Sequence, residues 1–311
     1  MGDACLSHPP TTLIVGGNGK TARHLTSLLT AANPAHAVYS IIRNPDQVPS
    51  LIAIGAHPIV QDLVSGTVED FVKILERTQP DTVVWAASNP RAPVEVDHQV
   101  PSLIAIGAHP IVQDLVSGTV EDFVKILERT QPDTVVWAAS NPRAPVEVDR
   151  DGAIKVIDAL AQAEIPRKRY VAISSADVRD RKKPTPDWYS EADIKLSDRM
   201  WGVIEPALRA KFEADKDLRV NNRSRGIEYT IIRPGGLTEK EAEGRIRAGK
   251  VGLQGMISRA DVAAVLFAAI KDEWTTGLAF DILGPGEGDL PIKEAVRGVS
   301  AKREDTFDGY Y

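Results

Sequence analysis

A short strand that runs through a glycine-rich turn into a helix is the feature that most restricts how this chain can fold. Residues 11–15 are β-branched or apolar, as in a buried strand. Apolar residues recur at helical spacing over residues 20–32, and a second strand is predicted over 37–42. The turn between the first strand and the helix has the sequence Gly16, Gly17, Asn18 and Gly19.

The small residues of this turn have separate roles. Gly16 allows the positive φ angle of a tight turn, and Gly19 lets the backbone approach a ligand closely. Ala22, at the third small position, lets the helix pack against the strand. The start of the helix offers free N–H groups and the positive end of a dipole to phosphate groups. The sequence therefore predicts a dinucleotide-binding turn made of Gly16, Gly17, Asn18, Gly19, Lys20 and Thr21.

The residue that follows the second strand favours NADP over NAD. An acidic side chain there would accept a hydrogen bond from the ribose 2′-hydroxyl of NAD, whereas Arg43 suits the 2′-phosphate of NADP. Residues at the ends of later strands are expected to line the adenine and the ribose. These are Asp62 and Leu63, or Asp114 and Leu115, at the adenine, and Ala86 and Ala87, or Ala138 and Ala139, beside the ribose.

Residues 47–97 (copy 1) recur letter for letter as residues 99–149 (copy 2), with His98 as the single spacer. Two undiverged copies do not indicate a solenoid, which needs three or more repeats. They indicate a recent duplication or an error in the gene model. The predicted strand, helix and strand of each copy are 56–63, 68–78 and 81–87 in copy 1, and 108–115, 120–130 and 133–139 in copy 2.

The two copies are expected to compete for the same two places in a sheet. Either copy can take them, and the other then becomes an excursion at the carboxyl edge. One copy is expected to be superfluous, because the 259 residues that remain without it and the spacer suffice for one α/β domain.

Strands alternate with helices along the chain, which is typical of a parallel sheet covered on both faces. We therefore predict an α/β fold: a single Rossmann-like domain over residues 1–311, with a doubly wound parallel sheet and an internal duplication of 51 residues. The polar segment 179–201 is expected to be irregular, either a flap over the substrate or a solvated loop. Beyond the repeats, strands are predicted over 170–174, 228–232 and 278–283, and helices over 152–163, 205–217 and 259–271.

Composition narrows the function classes. The formal net charge is −6, whereas a general nucleic-acid or membrane-surface binder would be basic. Cys5 is the single cysteine, so neither a disulfide framework nor a cysteine-based metal site is expected. No apolar run approaches the length of a membrane span, and residues 1–12 have no signal-peptide pattern. We expect a cytoplasmic protein with a small-molecule substrate, without nucleic-acid, membrane or metal partners. The oligomeric state stays open.

Several segments together carry a family resemblance: the glycine turn, Arg43, the Asp-Leu pair of each copy, and residues 170–175, 229–237 and 257–263. In these segments the chain resembles the atypical short-chain dehydrogenases/reductases with an NAD(P)H-binding domain, whose relatives include NmrA-like proteins and biliverdin/flavin reductases. The resemblance covers nearly the whole chain less one copy, and it implies a nicotinamide cofactor. It also implies a cofactor contact at Arg233, Pro234 and Gly235.

The resemblance further implies a set of reactive side chains. In the wider superfamily a serine orients the carbonyl, a tyrosine donates the proton, and a lysine four positions later lowers the pKa of that tyrosine. Ser174 or Ser175 stands at the serine position and Lys211 at the lysine position. Ala207 stands where the tyrosine is expected, so the usual proton donor is missing. Tyr189, in the polar excursion, is the remaining candidate for that role.

Two function classes are compatible with these residues. The first is an NADPH-dependent oxidoreductase for a small carbonyl, quinone or flavin-like acceptor, of which a flavin-like acceptor could take its proton from water. The second is a non-catalytic NAD(P)-binding redox sensor or regulator of the NmrA kind, which the departure at Ala207 favours. A sugar epimerase is less compatible, because that chemistry also uses the tyrosine–lysine pair. Whether the chain is an enzyme is left open.

Overall fold

The structure is a computed structural model that describes residues 10–61, 74, 77–86, 118–271 and 273–311. Its strands are β1 Thr11–Val15, β2 Ala37–Ile42, β3 His57–Val60, β4 Thr82–Trp85, β5 Thr134–Trp137, β6 Arg169–Ile173, β7 Glu228–Pro234, β8 Gly236–Thr238, β9 Arg245–Ala248, β10 Met256–Ser258, β11 Leu278–Leu283 and β12 Leu290–Pro291. Its helices are α1 Lys20–Ala32, α2 Val48–Ile52, α3 Val120–Thr130, α4 Ala153–Gln162, α5 Glu191–Arg225, α6 Arg259–Lys271 and α7 Ile292–Lys302.

Ten of these strands form one sheet in the order β12-β9-β11-β7-β6-β5-β4-β1-β2-β3. Every neighbouring pair from β11 to β3 is parallel. At the far edge, β9 runs antiparallel to β11 and β12 antiparallel to β9, so two short antiparallel strands extend the predicted parallel sheet. These two edge strands are short and have no apolar run, so their sequences carry little strand signal. A separate two-stranded ribbon pairs β8 with β10.

Helices cover both faces of the sheet. Helices α3, α4 and α5 pack on one face around a cluster that includes Val135, and helices α1, α6 and α7 pack on the other around a cluster that includes Val136. Consecutive residues of a strand point to opposite faces, which is why these two neighbours are buried in different clusters. The predicted single-domain, Rossmann-like α/β fold is confirmed. Among the helices of the described ranges, none combines the length and the apolar character that a bilayer span requires.

Both copies of the repeat contribute a strand to the sheet, which corrects the expectation that one copy is an excursion. Strand β4 comes from copy 1 and β5 from copy 2, and the two identical Thr-Val-Val-Trp segments lie side by side. They pair in register, from Thr82 with Thr134 to Trp85 with Trp137. The sheet is therefore one strand wider than a sheet in which only one copy supplies the Thr-Val-Val-Trp strand.

The widened sheet has a simple physical basis. A β-branched strand that is buried on both faces gains from a neighbour on each edge, because all its ladder hydrogen bonds are then made. Strand β5 is buried along its whole length. The two copies therefore do not compete for one place in the sheet, because each Thr-Val-Val-Trp strand has a place of its own.

Other boundaries differ from prediction in smaller ways. The predicted strand 108–115 lies outside the described residues, and of the predicted helix 68–78 only residues 74, 77 and 78 are described. The polar excursion ends at Ser190, whose side chain caps a helix over 191–225 in a capping box with Asp193. This helix breaks at Ile204, two residues before Pro206, so the predicted helix 205–217 is its second half.

Candidate functional site

The glycine turn lies at the carboxyl edge of the sheet, between β1 and β2. Gly16 has a φ angle of +79°, which glycine adopts without strain. The N–H groups of Gly16 and Gly17 donate to the carbonyl of Ile41 at 3.0 and 2.8 Å. The N–H of Gly19 donates back to the carbonyl of Gly16 at 2.9 Å. These bonds fix the turn against the neighbouring strand.

The turn is too crowded for larger residues. A Cβ atom on Gly17 would lie 2.5 Å from the Cβ of Ser40, and one on Gly19 would lie 3.2 Å from the carbonyl oxygen of Gly16. Gly19 precedes α1 and has no side chain that could cap the helix. The N–H groups of the first turn, which begin at Lys20 and Thr21, are therefore left without a side-chain cap at this edge of the sheet. A backbone cradle followed by an uncapped helix start fits the diphosphate of a dinucleotide.

The other predicted cofactor residues that the structure describes lie near the glycine turn, most of them directly after a strand. Arg43 is exposed directly after β2, and the structure gives its guanidinium no partner among the described residues. The N–H of Ala86 donates to the carbonyl of Val15 at 2.8 Å, so the end of β4 closes against the turn. Ala138 and Ala139 follow β5, one strand further away from the turn than β4.

Within the turn itself, Asn18 accepts a hydrogen bond from Arg23 at 3.1 Å. The predicted contacts Asp62, Leu63, Ala87, Asp114 and Leu115 lie outside the described residues.

A second group of side chains surrounds the end of β6. The hydroxyl of Ser174 donates to Oδ2 of Asp215 at 2.5 Å. One turn earlier on α5, Nζ of Lys211 lies 2.7 Å from Oδ1 of Asp149. Asp149 is 1% exposed and is the last residue of copy 2. The structure thus brings Ser174 and Lys211 to one place and adds two carboxylates, Asp215 and Asp149, that were not predicted from the sequence.

Asp149 is held by three donors. Besides Lys211, it accepts hydrogen bonds from the hydroxyl of Ser140 at 2.6 Å and from the N–H of Asn141 at 2.8 Å. These residues follow β5, so the end of the copy 2 strand orients the carboxylate that binds the lysine. The sequence pattern that could have indicated Asp215 is its spacing from Lys211, because residues four apart lie on one helix face.

The four side chains line a narrow cavity. Its walls include Trp137, Tyr170 and Ala172 of the central strands, and its free interior is about 10 Å³, enough for one water molecule. Ala207 lies one helical turn before Lys211 on the same side of α5, half-exposed. The interior of the cavity therefore has no room for a substrate.

Tyr189 belongs to a different group of side chains. Its hydroxyl donates to Oδ1 of Asp177 at 3.2 Å, and Arg179 and Trp201 donate to the same carboxylate. Burial, together with the charges of Asp281 and Asp177, raises the pKa of Tyr189 well above its ordinary value. A phenol in that state is a poor match for proton transfer near neutral pH.

Ser175 and Arg233 lie beside the group of side chains around Tyr189 and Asp177. The guanidinium of Arg233 is 2% exposed, pairs with Asp281 at 3.1 Å and donates to the carbonyls of Ser175 and Val178. The hydroxyl of Ser175 donates to its neighbour's carbonyl at 3.3 Å. Pro234 ends β7, and the tight packing of Gly235 leaves no room for a Cβ, which would lie 2.3 Å from Leu283. The predicted contact of these residues with a cofactor stays a prediction, and for Arg233 it is limited to the backbone.

We expect Asp215→Asn to change how stability depends on pH. Burial raises the pKa of Asp215 from 3.8 to about 6, so between these values the folded chain holds a proton that the unfolded chain releases. The free energy of unfolding should fall by about 3 kcal/mol as the pH rises through this window. The variant should lack this decrease, because Asn keeps an acceptor for Ser174 and does not ionise.

Urea unfolding of both proteins at several pH values between 4 and 6 measures the difference. Burial also raises the pKa of Asp281 to about 6, so the variant should retain that part of the pH dependence. Identical pH slopes for wild type and variant would contradict the assignment to Asp215.

Comparison with known proteins places the chain among dinucleotide-binding proteins. It is 29% identical over 295 residues to a UPF0659 protein of Schizosaccharomyces pombe, covering 95% of this chain and 97% of that one. It is also 29% identical over 284 residues to YhfK of Bacillus subtilis, described as an uncharacterized sugar epimerase, covering 91% and 97%. A solved putative NAD-dependent epimerase/dehydratase from Bacillus halodurans superposes with a TM-score of 0.56 at 25% identity, covering 93% and 99%.

The sequence model of the NAD(P)H-binding family matches twice, over residues 16–106 and 89–273. The two matches overlap over residues 89–106, which span the junction of the two copies. Together they span most of the chain and contain both the glycine turn and the Ser174 cavity. The chain belongs to the NAD(P)H-binding family.

Proposed function

We propose that the chain is an NADPH-dependent oxidoreductase that reduces a small carbonyl, quinone or flavin-like acceptor. The observation that carries the proposal is the cavity in which Ser174 and Lys211 meet. It lies at the same edge of the sheet as the glycine turn, where ligands of open α/β sheets bind. A bound nicotinamide would supply the hydride.

The side chains of the cavity have distinct proposed roles. The hydroxyl of Ser174 orients the acceptor oxygen, while Asp215 accepts its hydrogen bond and fixes its rotamer. Lys211, fixed by Asp149, contacts the cofactor ribose and keeps a positive charge beside the developing anion. Ala207 provides no proton, so water must protonate the product. Quinones and flavins tolerate this better than simple ketones do, because their reduced anions are stabilised by delocalisation.

A non-catalytic NADPH sensor is the second candidate function. Two observations favour it: the missing tyrosine at Ala207 and the absence of room for a substrate within the cavity. In this case the chain would bind the dinucleotide and report its redox state to a partner. The epimerase description of YhfK would require the tyrosine–lysine pair, which this chain lacks.

The loss of NADPH absorbance with a panel of quinones, flavins and aldehydes separates the two candidates. The oxidoreductase proposal expects turnover with at least one acceptor, and turnover should decrease in Ser174→Ala. Saturable NADPH binding without turnover on any acceptor would favour the sensor instead.

We expect Arg43→Glu to shift the preference from NADPH towards NADH. Removing a guanidinium from the 2′-phosphate and adding a negative charge should weaken NADPH binding by about tenfold to a hundredfold and leave NADH binding nearly unchanged. Titration of both cofactors by fluorescence measures the ratio. Arg199→Glu is the matched control, because Arg199 is an exposed arginine on α5 with the same charge change. An unchanged ratio in the Arg43 variant would remove the argument for NADP.

A further inference from the structure

Glu239 occupies an unusual position beside the glycine turn. It directly follows β8, and Arg259 directly follows β10, the strand paired in parallel with β8. The two side chains therefore leave the same end of one ribbon. Nη1 of Arg259 lies 2.5 Å from Oε1 of Glu239.

The same carboxylate oxygen also binds the first residue of α1. Nζ of Lys20 lies 2.7 Å from Oε1 of Glu239. Lys20 begins α1 and Arg259 begins α6, so two cationic side chains from the starts of two helices meet at one carboxylate oxygen. The hydrogen bond from Lys20 lowers the pKa of Glu239, which keeps this carboxylate ionised.

These ion pairs are easily exchanged. The side chains of Lys20 and Glu239 are 63% and 53% exposed, and exposed ion pairs contribute little net stability. Both cations share one oxygen, whereas a diphosphate offers several oxygens and two negative charges. A diphosphate at the start of α1 can therefore satisfy Lys20 and Arg259 better than Glu239 does.

We propose that Glu239 acts as a built-in competitor at the dinucleotide site, holding Lys20 and Arg259 until a diphosphate displaces it. The inference rests on the dinucleotide site proposed above. It assigns Lys20 and Arg259 to the diphosphate, separately from the 2′-phosphate that Arg43 is proposed to bind. Glu239 then lowers the affinity for every ligand that carries the diphosphate, whatever its nicotinamide or 2′ substituent.

Binding of ADP-ribose to the full chain tests the proposal, because ADP-ribose has the diphosphate but neither nicotinamide nor 2′-phosphate. Glu239→Gln should bind ADP-ribose about threefold to tenfold more tightly than wild type, since the competing charge is gone. Glu241→Gln is the matched control, because it removes an equal charge from an exposed position two residues away, and its affinity should stay at the wild-type value. Lys20→Met should bind more weakly.

The double variant Glu239→Gln/Lys20→Met shows whether the two residues act together. We expect the gain from Glu239→Gln to shrink when Lys20 is absent, as a double-mutant cycle measures. Melting temperatures confirm that each variant is folded. Equal affinity of Glu239→Gln and wild type, or an equal gain in Glu241→Gln, would overturn the inference and leave the oxidoreductase proposal intact. Failure of folded wild type and all variants to bind either ADP-ribose or NADPH would overturn both.

Discussion

A 259-residue form of the chain, lacking residues 47–98, is expected to turn over NADPH about a hundredfold faster than the full chain. The deletion joins Asp46 to the second copy and leaves every residue after it unchanged. The expected gain comes from distance. Between β1, which carries the glycine turn, and β6, which carries Ser174, the sheet now has two strands instead of one. At about 4.8 Å for each strand step, the two halves of the site lie about 14 Å apart instead of about 10 Å.

The two copies divide between them the contacts that one strand could make. The end of β4 closes against the glycine turn through Ala86, as described above. The end of β5 orients Asp149 and thereby Lys211. A dinucleotide that extends from the glycine turn to Lys211 needs both contacts at the distance that a single strand would set. Misplacement of a reacting group by about 1 Å can already reduce a rate a hundredfold.

The shorter chain is expected to fold because its registers are compatible. Leu13 pairs with Val83, Val83 with Val135, and Val135 with Tyr170. A single Thr-Val-Val-Trp strand can therefore pair with β1 on one edge and β6 on the other without a shift. Turnover and NADPH affinity are compared for both lengths, with melting temperature as the control for folding. Equal turnover of two folded proteins would contradict the account of the widened sheet.

Lys211→Met is expected to lose turnover by about a hundredfold and to destabilise the fold by about 3 kcal/mol. The loss of stability follows from burial, because Asp149 is 1% exposed and would lose its cationic partner. The two hydrogen bonds from Ser140 and Asn141 remain, which places the expected cost at the low end for a broken buried pair. Urea unfolding gives the stability, and NADPH oxidation gives the rate.

The double variant Lys211→Met/Asp149→Asn separates the two effects of the lysine. Without the buried charge, its stability should return close to that of wild type, whereas turnover should remain low. Recovery of turnover in the double variant would show that Lys211 acts only through the fold. Full turnover in a stable Lys211→Met protein would exclude the lysine from the reaction.

Local patterns were sufficient to predict the first three elements of the fold. Strand β1, helix α1 and strand β2 have the predicted bounds, because their apolar spacing and the glycine turn are encoded within a few residues. The first half of α5 was missed, since this helix has no clear apolar face. The widened sheet could not be predicted, because two identical strands carry no information about whether they exclude or pair with each other.

The candidate site shows the same limit. The resemblance pointed to Ser174 and Lys211, and the structure places them in one cavity. Their carboxylate partners come from other segments: Asp215 lies 41 residues from Ser174, and Asp149 lies at the end of a repeat copy. The spacing of Lys211 and Asp215 places them on one helix face, but the contact of Asp215 with Ser174 and that of Asp149 with Lys211 depend on tertiary packing. The contacts of Tyr189 with Asp177 and of Arg233 with Asp281 likewise could not be read from the sequence.

Removal of deuterium from labelled NADPH is the most direct test of the proposed function. NADPH that carries two deuterium atoms on the hydride-donating ring carbon is incubated with quinone, flavin or aldehyde acceptors and either the full or the 259-residue chain, and the oxidised cofactor is analysed by mass spectrometry. We predict that both forms produce, with at least one acceptor, NADP+ that retains one of the two deuterium atoms, that the shorter form produces it faster, and that Lys211→Met produces little. No acceptor-dependent NADP+ from any of these acceptors with either folded form would contradict the proposed function.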